Sequence, residues 1–78
     1  MSDSSLVGMR VVADGSLRRH ADGTVLMGGS PLRVMRVTDN GARLVDRLLD
    51  GEAVPDSNAA VALTRRLLDG GLVHPVVG

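Results

Sequence analysis

The sequence predicts an α+β domain: a three-stranded antiparallel sheet followed by two helices and a short C-terminal extended segment. Three observations carry this. Short Val-, Leu- and Met-rich runs, broken by Asp-Gly and Gly-Gly-Ser-Pro, fill the chain up to Val37. Beyond Val37 the apolar residues switch to helical spacing. No β-α-β alternation follows, so sheet and helices segregate. The length of 78 residues allows one domain, and 44% apolar content is too high for a disordered chain. A chain of this size buries only about 60% of the surface its unfolded form exposes, so the core is thin.

Residues 1–8 are small and polar and read as a disordered N-terminus, leaving 9–78 as the domain. The strands are expected at roughly 9–20, 24–29 and 32–37. Asp22-Gly23 is the better hairpin turn, because Gly accepts the positive φ that such turns need. Asp14-Gly15 reads as a bend or bulge inside one long first strand. Ala42, Val45, Leu48 and Leu49, with Leu44 widening the stripe, predict a helix over 39–50. Thr38 is its N-cap, Asp39 suits the helix dipole, and Gly51 closes it. Asp39 with Arg43 and Arg47 with Asp50 are expected surface pairs. The short connection GEAVP leads to a second helix, about 57–69, capped by Asp56 or Ser57 and stopped by Gly70-Gly71. Its inward residues are Ala60, Leu63, Leu67 and Leu68. The endings LVDRLLDG and LTRRLLDG read as one helix-stop solution used twice. Leu72, Val73, Val76 and Val77 form the final extended segment, which Pro75 keeps at an edge.

Composition excludes several classes of function. There is no Cys, hence no disulfide framework, thiolate metal site or thiol catalysis. Nine basic residues, all Arg, balance nine acidic ones, and there is no Phe, Trp or Tyr. Phosphate neutralisation and base stacking both lack their means, so nucleic acid is not an expected partner. No run approaches the ~18 apolar residues of a membrane span, and MSDSSLVGMR lacks the pattern of a signal peptide. A cytoplasmic chain is expected.

Candidate chemistry is sparse. His20 and His74 read as surface histidines, since a metal site wants at least three ligands in register. Ser30 in Gly-Gly-Ser-Pro lacks the pattern of a nucleophile elbow and reads as a turn residue. Gly28-Gly29-Ser30 has no Lys after it and no helix start for a phosphate. No catalytic residue, metal ligand or cofactor is expected. Arg10, Arg18, Arg19, Arg33 and Arg36 face only Asp3, Asp14 and Asp22 before Thr38. The resulting basic sheet is either a docking surface for an acidic peptide or a guard against edge aggregation. Residues 32–37 carry apolar groups on both faces, Leu32 and Val34 on one, Met35 and Val37 on the other.

This order of parts, with "VMRVTDNGARLVDRLLDG" and a last helix ending in "LLDGGLV", resembles the PqqD-like peptide-recognition domains. These are the RiPP recognition elements of ribosomal peptide natural-product pathways. The opening MRVVADGSLRRHADGTVLMGGSPLRVMRV is most similar to the N-terminal portion of mycofactocin-system glycosyltransferases, and Gly28-Gly29-Ser30-Pro31-Leu32-Arg33 is its most specific stretch. The resemblance covers about Met9 to Val77. It implies a winged-helix core, truncated here because GEAVP is too short for the family's middle helix. It implies no catalysis by the domain itself. It also implies that a precursor-peptide leader adds as a strand to the third strand and is delivered to an attached or partner glycosyltransferase. Carried over, the edge is Leu32, Arg33, Val34, Met35, Arg36 and Val37. The opposite wall is Asn58, Val61, Ala62, Arg65 and Arg66. Two other readings stay open: a structural domain forming a weak homodimer through the same edge, and a DNA-binding winged helix. The second helix offers only Arg65 and Arg66, late in its length, where base contacts usually come from the first turns.

Overall fold

A computed structural model describes residues 6–76. The strands are β1 (Val11–Ala13), β2 (Arg18–His20), β3 (Val25–Gly28), β4 (Arg33–Arg36) and β5 (Val73–Pro75). The helices are α1 (Asp39–Leu49) and α2 (Asn58–Asp69). The fold is α+β, with β2-β3-β4 forming a three-stranded antiparallel sheet.

One long first strand was expected, and here the structure differs. β1 leaves the meander and pairs antiparallel with β5, Val12 opposite His74, as a separate two-stranded sheet. The break is at Asp14. Its carboxylate accepts hydrogen bonds from the Ser16 N–H (3.0 Å) and the Ser16 hydroxyl and pairs with His74 Nε2, while its own N–H donates to the Leu72 carbonyl. A carboxylate that draws the next residues into a turn competes with a straight strand, and here it wins.

Those contacts also set a pH dependence. The Ser16 hydroxyl bond, then His74, then the Ser16 N–H hold the Asp14 carboxyl well below the usual carboxylate range. A carboxylate with a depressed folded pKa contributes stability above its unfolded value of 3.8, and that contribution is lost as pH falls through the folded value. Asp14→Asn should therefore be less stable than wild type near neutral pH, with the gap in thermal midpoint narrowing below pH 3.8. A gap that stays constant from neutral to strongly acidic pH would count against this role. Asp14 lies at the surface, so solvent screens the effect.

Both helices form where the periodicity places them. Thr38 accepts from Gly41 N–H at 3.0 Å, and Ser57 accepts from Ala60 N–H at 3.3 Å. The repeated Leu-Leu-Asp-Gly text has a common geometry. After α1, Gly51 N–H reaches Leu48 O and Glu52 N–H reaches Arg47 O; after α2, Gly71 N–H reaches Leu68 O and Leu72 N–H reaches Leu67 O. Each is a Schellman motif, which needs a left-handed residue at C′, here Gly51 (φ +96) and Gly71 (φ +72). Neither expected helix pair, Asp39–Arg43 or Arg47–Asp50, forms. Arg43 turns to Asn40 at 3.5 Å, and the ion pairs among the described residues are Arg19–Asp46 and Asp14–His74.

The core lies between the helices and the inner faces of both sheets: Leu26 from β3, Val11 and Val73 from β1 and β5, Val45 and Leu48 from α1, and Leu63 and Leu67 from α2. Of the expected loose N-terminus, residues 1–5 lie outside the described residues, as does Val77 of the expected final segment. Leu6 corrects the expectation for 6–8: it is buried in this core. The Gly8 N–H bonds to Val54 O and the Val54 N–H to Met9 O, each at 2.8 Å, so this segment is stitched to the interhelical link. Val54 in GEAVP is equally buried. No helix among the described residues is long and apolar enough to cross a membrane.

Candidate functional site

β4 is the outer strand of its sheet, bonded to β3 on one side only. Which of its backbone groups remain open follows from the register. Val37 N–H donates to Thr24 O at 2.8 Å, and Met35 stands opposite Leu26 and Arg33 opposite Gly28. In an antiparallel ladder the bonded pairs alternate, so residues 33, 35 and 37 bond inward while Val34 and Arg36 present N–H and C=O to the open edge. Side chains alternate as well: Arg33, Met35 and Val37 turn to the helix side, where Met35 and Val37 pack against the core. Leu32 and Val34 stand on the outer face, 65% and 60% exposed.

Across from this edge runs α2, and two hollows lie between them. The first, about 280 Å³, is lined by Arg33, Val34 and Met35 on the strand side and by Arg66, Asp69 and Gly70 on the helix side, with Leu72 beneath. The second, about 300 Å³, continues along the groove past Val37, Leu44, Ala59, Ala62 and Leu63 to the start of α1. Arg66 lines both. Ala59, Ala62, Leu63 and Arg66 stand three or four apart and so share one face of α2. The two alanines leave the room in which the second hollow sits.

The strand side of the groove comprises the residues expected from the sequence, Arg33 to Val37, with Leu32 just before β4 and turned outward. On the helix side the groove brings in Ala62 and Arg66 but not the other three. Val61 is buried in the core, and Asn58 and Arg65 are exposed but line neither hollow. Ala59, Leu63, Asp69, Leu44 and Leu72 join the groove without having been singled out. The signal that could have found them is the phase of α2. Val61 and Thr64 are both buried, the Thr64 hydroxyl bonded to Ala60 O at 2.8 Å, and counting both as inward turns the open face toward Ala59, Leu63 and Arg66.

The arginines divide by role. Arg19 is drawn into a contact with Asp46 and the α1 backbone, and Arg18 folds onto its own turn at Leu17 O, 2.9 Å. Arg33, Arg36 and Arg66, which line the groove, form no side-chain hydrogen bond or ion pair among the described residues. His20 and His74 are both exposed, and Ser30 sits in the exposed β3–β4 turn. No group of three or more His, Cys, Asp or Glu that could hold a metal occurs among the described residues.

Fold and groove together define a small α+β domain with an open sheet edge facing a helix. Over 68 residues, 87% of the chain, it is 35% identical to the pre-mycofactocin glycosyltransferase of Mycobacterium tuberculosis, in strains CDC 1551 / Oshkosh and ATCC 25618 / H37Rv. The chain spans 14% of the length of those relatives. No protein-family model matches the chain, and no solved structure matches it significantly.

Proposed function

We propose that this domain binds the leader of a ribosomally made precursor peptide of the mycofactocin type, as a strand added to β4, and delivers it to an attached or partner glycosyltransferase. On this reading it is a PqqD-like recognition element in the cytoplasm and performs no chemistry itself. The observation that carries the proposal is the open edge of β4 with α2 across a groove from it. Main-chain bonds to Val34 and Arg36 supply affinity, and the hollows receive alternate side chains. The similarity to a pre-mycofactocin glycosyltransferase supports the choice of peptide.

Titrating the labelled chain with a mycofactocin-type precursor should move backbone amide resonances in 33–37 and along the Ala59–Arg66 face. Val34→Pro removes an N–H that β3 does not use, at an edge position where proline is tolerated. It should leave the fold intact and weaken binding about tenfold or more. Unchanged affinity with a native spectrum would show that the peptide does not use this edge. The same edge, flanked by exposed Leu32 and Val34, also suits pairing between two copies of the chain. Light scattering that rises with concentration and disappears in Val34→Pro would favour that second reading.

A further inference from the structure

We infer that the groove selects a peptide carrying an aliphatic side chain and a carboxylate at alternate positions, i and i+2, with the carboxylate held at Arg66. The inference rests on strand addition to β4 and specifies what the added strand must contain.

An added strand points every second side chain into the groove, about 6.6–6.8 Å apart. The two hollows it meets differ in chemistry. Val37, Leu44, Ala59, Ala62 and Leu63 give the second hollow an apolar wall, and the small alanines leave space for a branched aliphatic group. The first hollow is bracketed by Arg33 from β4 and Arg66 from α2. Its one carboxylate, Asp69, forms no ion pair among the described residues, so both guanidinium groups keep their donors for a ligand. Arg66 reaches both hollows and stands at their junction. A carboxylate two positions from the seated aliphatic residue therefore arrives where a planar, two-pronged donor awaits it. A basic residue there would meet two like charges against the one carboxylate of Asp69, so the site disfavours it.

The test uses fluorescence anisotropy with a mycofactocin-type precursor peptide and a set of variants in which each Asp or Glu becomes Asn or Gln. One position should stand out, with affinity falling about tenfold. Arg66→Gln in the protein should give a similar loss, and combining the two changes should cost little more than either alone. Arg18→Gln, on β2 with β3 between it and the groove edge, should leave affinity unchanged. If the Arg66 variant folds poorly, the peptide series still decides, because it leaves the protein untouched. Affinity indifferent to every acid in the peptide overturns the inference and leaves strand addition standing. Failure of the unmodified peptide to bind the unmodified protein at high micromolar concentration overturns both.

Discussion

Leu26→Ala should cost about 2–5 kcal/mol, a large share of the stability on the order of 4–10 kcal/mol expected for a domain this size. Leu26 sits mid-strand in β3, between Arg19 of β2 and Met35 of β4, and is 0% exposed. With no aromatic side chain in the protein, each buried leucine carries a larger fraction of the core than usual. Removing three carbons at the centre of a thin core leaves a cavity that neighbouring strands, fixed by their ladder, cannot close. Urea unfolding followed by circular dichroism should show the midpoint collapse toward zero denaturant. Val34→Ala, on the exposed face of the same sheet, should stay within about 0.5 kcal/mol of wild type. Comparable losses for the two would mean that Leu26 is not in the core.

The helices were readable because their information is local. The apolar spacing, the Thr38 and Ser57 caps and the two Gly stops all lie within a few residues of the structure they specify. The first strand was not, because what decides it is distant. β1 answers to β5, some sixty residues on, and Asp14 is held by His74 across the same distance. A sequence pass sees Val, Val and Ala before an Asp-Gly and cannot see the strand that will arrive to pair with them. Leu6 and Val54 were missed for a related reason. Each lies in an apolar stretch, Leu6-Val7 or Ala53-Val54, too short to show a period, and each is buried by a segment remote in the chain.

The groove was half legible. Alternation in 32–37 separates the two faces of β4, and its place as last strand of the meander makes it an edge. The α2 face depends on helix phase, where each residue turns about 100°, so one misjudged position rotates the wall by a quarter turn. Val61, expected on the wall, is buried in the core, and Thr64 is buried with it. The Thr64 hydroxyl looks polar in sequence, yet its bond to Ala60 O lets it sit fully buried. The arginine-rich sheet was likewise ambiguous until partners were known. Arg19 then proves to be part of the fold, while Arg33 and Arg36 have no side-chain partner among the described residues.

Arg19→Ala should destabilise the domain by about 2 kcal/mol, and the ion pair with Asp46 should account for the smaller part of it. The Asp46 side chain is 62% exposed, so water and salt weaken its attraction for the guanidinium. The Arg19 side chain is only 24% exposed, and its Nη2 donates to Ala42 O at 3.2 Å, tying β2 to α1. Its Nε is buried without a hydrogen-bond partner, so the group already bears a desolvation cost that the Ala42 bond and the packed stem must offset. Asp46→Ala should accordingly cost less than about 1 kcal/mol. Arg19→Lys should resemble Arg19→Ala more than wild type, because a single ammonium cannot serve Asp46 and Ala42 from one position. Arg19→Met keeps the stem and removes the orphaned Nε, and should fall between them. Thermal unfolding of the four variants at low and high salt distinguishes the terms. If Asp46→Ala costs as much as Arg19→Ala, and both losses vanish in high salt, the ion pair dominates and the backbone tie is secondary.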